Sequence, residues 1–171
     1  MYQDFQEPPF QGGIPSPSNG TSSAEQNDPS SVLELVFQHI VDCSIECPSP
    51  FALSEQEGNE TETRVSVDVL TGGEGEHFQV VIVLRIEMMK DQKPGCIIEL
   101  KYAGYFIIKN EDEDMRPFLL YVNCPNMLWP SVRHWVRIVT LECGLPGLQL
   151  NSVDFTEILR KKIKEAQQSN T

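Results

Sequence analysis

The sequence predicts an α+β fold: a four-stranded antiparallel sheet followed by a long helix and a C-terminal helix. Three observations carry that prediction. Between Val32 and Ile108, four stretches alternate apolar and polar residues with the period of two that half-buried strands require. Short turn-forming clusters separate the last three of them, which favours an antiparallel meander. After Asn123 the apolar spacing changes to three and four residues, the signature of a helix face.

The first strand is expected over Val32–Cys47. Leu33, Leu35, Phe37, His39, Val41, Cys43, Ile45 and Cys47 alternate with Glu34, Gln38, Asp42, Ser44 and Glu46, so each set takes one face. Pro48 and Pro50 end the strand and force an extended crossover loop carrying Phe51 and Leu53. Ser54 to Glu62 is polar and acidic, a surface loop. The second strand is expected over Thr63–Leu70, with Val65, Val67 and Val69 on one side, followed by a turn at Thr71-Gly72-Gly73-Glu74-Gly75. His77–Met89 supplies the third strand, with Phe78, Val80, Ile82, Leu84, Ile86 and Met88 on one face, and Asp91–Gly95 the next turn. The fourth strand is Cys96–Ile108. Ala103-Gly104 within it marks a bulge or a close backbone approach.

Glu111–Asp114 is an acidic run suited to a helix N-terminus or a solvated loop. Met115, Phe118, Leu119 and Val122 have helical spacing, but Pro117 and Pro125 restrict them to a short or irregular element. The long helix is expected over Asn123–Gly144, with Pro130 in its first turn, where a missing N–H costs nothing. Trp129, Val132, Val136, Val139 and Cys143 share one face, and Leu128, Trp135, Ile138 and Leu141 widen it. Gly144 and Pro146 stop the helix. One sheet covers one side of a helix, so apolar surface this broad predicts contact with a second subunit. Asn151 or Ser152 is expected to cap the last helix, whose apolar residues are Phe155, Ile158, Leu159 and Ile163.

Composition narrows the function. The 171 residues suggest one domain, expected over residues 31–160. Residues 1–30, rich in Gln, Pro, Ser, Gly and Asn, are expected to form a disordered extension, with Phe5, Phe10 and Ile14 as its only sizeable apolar side chains besides Met1 and Tyr2. Residues 161–171 read as a basic and polar tail. From Arg160 onward the net charge is +3, against −15 for the remainder. The overall −12 argues against nucleic acid as a partner and favours a basic partner, or simply solubility. Five cysteines without a CxxC spacing imply neither a disulfide framework nor a zinc ribbon, and free thiols fit a reducing cytoplasm. Met1-Tyr2-Gln3-Asp4 lacks the character of a secretory signal. The longest apolar run, Val80–Leu84, is too short to span a bilayer.

No chemistry-bearing constellation emerges. His39, Cys43 and Cys47 fall at four-residue steps of a strand, roughly 13 Å apart, too far for one zinc ion or a thiol–imidazole pair. His77 and His134 lack a triad setting, and Gly72-Gly73-x-Gly75 lacks the Lys-Ser/Thr of a phosphate loop. No cofactor or metal is expected.

With the element order in place, the chain resembles the SecB family of bacterial protein-export chaperones. The resemblance rests on Cys124-Pro125-Asn126-Met127-Leu128-Trp129-Pro130 with Arg133, on Leu148-Gln149-Leu150 and on Val153-Asp154-Phe155. Asp42-Cys43-Ser44-Ile45-Glu46-Cys47-Pro48 and Glu99 through Phe106 add to it, so it covers about Leu33 to Leu159. The chain departs from the family pattern at Ala103, where a double glycine is usual, at Ser152, where a proline is usual, and at the bulky Trp135. The resemblance implies a non-enzymatic holdase that binds unfolded preproteins and delivers them to the SecA ATPase. It also implies a homotetramer, a dimer of dimers, with the long helix at the interface through Val132, Trp135, Val136 and Val139. By position it assigns Asp42, Glu46, Ile97 and Glu99 to the SecA contact. A client groove is expected near Phe51, Leu53, Val67, Val69, Trp129, Phe155 and Leu159. Two other readings compete: a dedicated chaperone of an antitoxin or other narrow client, and a small enzyme using a buried thiol such as Cys124.

Overall fold

The computed structural model describes residues 32–48, 50, 53, 61–90, 93–109 and 112–169. The expected N-terminal extension and Phe51 lie outside the described residues. Four strands, β1 (Leu33–Glu46), β2 (Glu62–Glu74), β3 (His77–Lys90) and β4 (Lys93–Ile108), form one antiparallel sheet in the order β1-β4-β3-β2. A single helical turn at Arg116–Phe118 and a wide π turn at Leu119–Asn123 lead into helix α1 (Cys124–Glu142), and helix α2 (Phe155–Ser169) closes the chain.

β2, β3 and β4 grow from the alternation as expected. β2 is longer than its apolar pattern: Thr71 to Glu74 stay paired with β3, and the turn contracts to Gly75-Glu76. Gly75 takes a φ of 62°, which a two-residue hairpin turn demands and glycine adopts without a steric penalty. β1 departs from its pattern. Between Leu35 and Phe37, and again between Ile40 and Asp42, β1 advances two residues while β4 advances one. Val36 and Val41 are therefore bulge residues, and each bulge exchanges the faces of everything beyond it. Leu33 and Leu35 face inward with Ile108 and Phe106, and Cys43 and Ile45 with Leu100 and Ile98. Phe37 and His39, expected among them, turn to the outer face with Tyr105 and Ala103. No bulge forms at Ala103-Gly104 itself; there the close-approach alternative holds. A Cβ on Gly104 would lie 2.7 Å from Leu128 Cδ2 and 2.8 Å from Phe106 Cε2.

The helical region also differs from expectation. Pro130 lies inside α1, not in its first turn. Helical structure begins fourteen residues earlier, at Arg116, with Pro117 in the turn where its missing N–H is harmless. The π turn precedes Pro125, and the Asn126 side-chain amide donates to the Val122 carbonyl at 2.9 Å, supplying a donor to the widened turn. Asp154, in place of Asn151 or Ser152, starts α2: its carboxylate accepts from the Thr156 N–H at 2.9 Å. α2 runs through most of the stretch expected as a tail, to Ser169.

The core lies between the inner sheet face and the helices. Val69, Val80, Ile82, Leu84, Ile86, Ile98, Leu100 and Phe106 meet Leu128, Trp129, Val132 and Val136 of α1 and Phe155 and Ile158 of α2. The Thr140 hydroxyl is fully buried, accepts from the Leu148 N–H at 2.9 Å and lies 2.9 Å from the Val136 carbonyl, fastening the chain after α1 back onto that helix.

Candidate functional site

Cross-strand registers place the outer face in rows. Asp42 lies opposite Lys101, Ser44 opposite Glu99, and Glu46 opposite Ile97. On the next strand Lys101, Glu99 and Ile97 meet Val83, Arg85 and Glu87. The structure therefore brings Asp42, Glu46, Ile97 and Glu99 together on one end of one face. Arg85 pairs with Glu99 and donates to Glu87 at 2.7 Å, and these carboxylates hold its guanidinium above the ordinary arginine range, the Glu87 hydrogen bond first. Lys101 is 3.9 Å from Asp42. Asp42 and Glu46 remain exposed, so this end of the sheet offers carboxylates and one isoleucine to solvent.

The other end of the outer face is aromatic. Phe37, 57% exposed, stacks on His39 with ring centroids 5.2 Å apart, and His39 stacks on Tyr105 at 5.7 Å. Gln79 donates to the Tyr105 hydroxyl at 2.8 Å. Leu70, on the far edge strand, lies opposite Val81 in the row of His39 and Ala103.

On the inner side, α1 lies across β3 and β4 and leaves a cleft of about 600 Å³ beside β1. Ile40, Tyr102, Trp135 and Ile138 line it, with Pro130, Ser131, His39 and His134. Ser131 donates to Gln38 at 3.2 Å across its floor. The bulges make this cleft: by turning Phe37 and His39 outward they bring Gln38 and Ile40 under the helix.

The expected groove residues divide. Val69, Trp129 and Phe155 are buried in the protomer, and Trp129 meets Phe155 edge-on at 5.9 Å while donating to the Asn151 carbonyl at 3.1 Å. Leu53, Val67 and Leu159 are half-buried against that core. A salt bridge of 3.0 Å from Lys162 to Asp68 holds α2 against β2, with Leu159 one turn before Lys162. Of the expected helix interface, Val132 and Val136 are wholly buried under the sheet, Trp135 and Val139 are half-buried, and Ile138 and Leu141 are nearly half exposed. The exposed Ile138 and Leu141 were legible in the sequence as extra apolar width. The Phe37–His39–Tyr105 stack was not, because bulges leave no periodic mark.

Burial pushes the Cys124 thiol up to about 12, the reverse of what a nucleophile needs. Among the described residues no group of three or more His, Cys, Asp or Glu is arranged to hold a metal ion, and no helix is long and apolar enough to cross a membrane.

The protomer closes its core and leaves an acidic sheet end and apolar surface outside. Comparison with known proteins gives the class: a chaperone family. The family model of SecB, preprotein translocase subunit SecB, matches residues 25–166. The protein-export protein SecB of Paramagnetospirillum magneticum is 39% identical over 135 residues, 78% of this chain and 86% of that protein. That of Afipia carboxidovorans is 33% identical over 139 residues, 80% of this chain and 86% of the relative. Among solved structures, a SecB-like chaperone of Mycobacterium tuberculosis in complex with a peptide from the HigA1 antitoxin has the same fold. It has a TM-score of 0.60 at 12% identity, covering 71% of this chain and 90% of that one. The chain belongs to the SecB family, and it is a chaperone of preprotein export.

Proposed function

We propose that the chain is a cytoplasmic holdase without enzymatic activity. It binds unfolded precursor proteins, keeps them competent for translocation and hands them to the SecA ATPase. The observation that carries this reading is the family match over residues 25–166. An unfolded segment offers apolar side chains and unpaired backbone groups, and half-buried apolar surface beside a sheet edge accepts both. The client path runs along Val67, Leu159 and Leu53, with Val69, Trp129 and Phe155 as its rigid floor. Each contact is weak; a long client touching several subunits multiplies them through effective concentration.

The subunits assemble as a dimer of dimers. Trp135 and Val139, with the exposed Ile138 and Leu141, supply the outward apolar surface of α1, while Val132 and Val136 hold the helix to its own sheet. SecA docks on the end of the outer face that carries Asp42, Glu46, Ile97 and Glu99. Exposed carboxylates there confer salt-dependent steering toward a basic surface.

Two measurements test the reading. Native mass spectrometry is expected to give four times the chain mass, and the protein to suppress aggregation of a denatured precursor; a monomer without that activity contradicts the proposal. Asp42→Lys with Glu46→Lys is expected to abolish SecA binding at moderate salt while client binding persists. Unchanged SecA affinity removes this face from the contact. Bound clients recovered from cells separate a general holdase, which carries many precursors, from a chaperone dedicated to one antitoxin.

A further inference from the structure

The outer face of the sheet carries a second feature beside its acidic end. The core and the helices lie on the inner face. On the outer one, His39, Ala103, Val81 and Leu70 form a row that crosses all four strands. Phe37, Tyr105, Gln79 and Gly72 form the next row. Neither row contains an Asp, Glu, Lys or Arg. Ala103 and Val81 are buried within this band, while Phe37 and Leu70, on the two edge strands, stand 57% and 42% exposed. The row of Ala103 is one pleat from that of Lys101, about 7 Å along β4, so the uncharged band abuts the charged rows of Asp42 and Glu99.

The exposed aromatic part of the band is built to stay in place. Phe37, His39 and Tyr105 contact one another with ring centroids 5.2, 5.7 and 6.4 Å apart, and Gln79 donates to the Tyr105 hydroxyl at 2.8 Å. The Val36 bulge is what turns Phe37 and His39 into these rows. A regular strand would have put Phe37 under α1 and a polar side chain here. The fold thus spends a bulge on presenting a large ring to solvent, pre-arranged for contact.

The acidic end needs such a neighbour. Exposed carboxylates speed encounter and set its salt dependence, but solvent screening leaves them little affinity. Affinity comes from a few well-packed, desolvated contacts, among which aromatic side chains are prominent. Among the residues assigned to the acidic end, Ile97 is the one apolar side chain. We propose that the band is the anchor of the same contact. A basic protein steered to Asp42, Glu46 and Glu99 seats apolar and arginine side chains on the Phe37–His39–Tyr105 cluster. This rests on the reading of the acidic end as the docking site of the SecA ATPase. A guanidinium suits the place: it is flat and weakly hydrated, stacks on a ring, and keeps its charge within reach of the carboxylates. A second copy of the chain suits it poorly, because it would bring the same acidic face against this one in a protein of net charge −12.

The test follows binding of the full chain to SecA by surface plasmon resonance at low and moderate salt. Phe37→Ala is expected to speed dissociation about tenfold or more, with the association rate and its salt dependence unchanged. Phe37→Tyr, which keeps the ring, is expected to dissociate like the wild type. The native mass of Phe37→Ala and its suppression of precursor aggregation are expected to match the wild type. Asp42→Lys with Glu46→Lys is expected to leave no measurable association at moderate salt. Unchanged dissociation of Phe37→Ala beside loss of binding in the charge-reversed variant overturns the anchor and leaves docking at the acidic end standing. Faster dissociation of Phe37→Ala beside a harmless charge reversal supports the anchor and removes the acidic end from the contact. A changed native mass, or lost protection of precursors, with unaltered SecA kinetics assigns the band to a subunit contact or to clients and overturns the proposal. A wild-type chain that does not bind SecA overturns both readings.

Discussion

The two edges of the sheet are built from strands of nearly equal length with opposite regularity. β2 pairs with β3 without a break from Glu62 to Glu74, so its alternation translates directly into faces: Val65, Val67, Val69 and Thr71 inward, Ser66, Asp68 and Leu70 outward. β1 carries an extra residue at Val36 and another at Val41. Between them, Phe37–Ile40 runs in inverted phase beside Tyr102–Tyr105, centred on the place where Leu128 of α1 presses on Gly104. The unbroken edge is a wall of the core. The twice-bulged edge presents one aromatic stack outward, opens a cleft inward, and still returns Ile45 to the core and Asp42 and Glu46 to the acidic end. A pair of bulges thus changes what one segment does without changing what its flanks do.

The largest expected effect comes from removing one bulge. Deleting Val41 forces one side of β1 to slide by a residue. Either Ile45 leaves the core, or Phe37 and His39 are driven under α1. A loss of about 3 kcal/mol or more, or failure to fold, is expected from urea unfolding. Unchanged stability with an intact acidic end contradicts the bulge account.

The next effect is smaller and local. Gly104→Ala puts a methyl group against Leu128 and Phe106, both buried side chains with little freedom to yield. Overpacking of this kind costs about 1–3 kcal/mol, and Gly104→Ala with Leu128→Val is expected to recover part of it. Equal unfolding midpoints for the single variant and the wild type show that α1 can move away from the sheet there.

Cys47, just past the bulged edge, and Cys124, at the start of α1, carry a pH dependence that β2, without cysteines, lacks. Folded Cys47 titrates near 11 and Cys124 near 12, both raised first by burial. In the unfolded chain thiols ionise near 8.5. Above that pH the unfolded state binds fewer protons than the folded one, so stability falls as pH rises toward the folded values and is fully present below about 8. Reduced protein is expected to lose stability progressively from pH 9 to 11, and Cys124→Ala to flatten that fall. A flat wild-type profile over this range excludes the buried-thiol account.

The contrast between the edges also explains what the sequence conveyed. The antiparallel meander, the long helix and the inward residues of β2, β3 and β4 were legible because alternation and helical spacing are local and unbroken there. Asp42, Glu46, Ile97 and Glu99 were assigned from resemblance to a family, and the registers of β1 and β4 put them on one face. The outward turn of Phe37 and His39 was not legible, since an inserted valine looks like any other apolar strand residue. Trp129, Val132, Val136 and Phe155 showed the limit of apolar patterning, which marks surface that needs cover but not whether the cover is the same chain or another.

The smallest expected effect sharpens the comparison from the regular side. Val65 is 46% exposed, faces inward opposite Ile86, and sits on an edge with no bulge to disturb. Val65→Thr keeps the β-branched shape and adds a hydroxyl that solvent can reach, so a change within about 0.5 kcal/mol is expected. The same exchange at Val69, fully buried in the same strand opposite Ile82, strands a hydroxyl in the core and is expected to cost about 1–3 kcal/mol. With no bulge to shift the faces, the difference between these two variants measures burial alone. A Val65→Thr loss as large as that of Val69→Thr means that Val65 is covered in solution, as it would be if β2 formed part of a subunit contact.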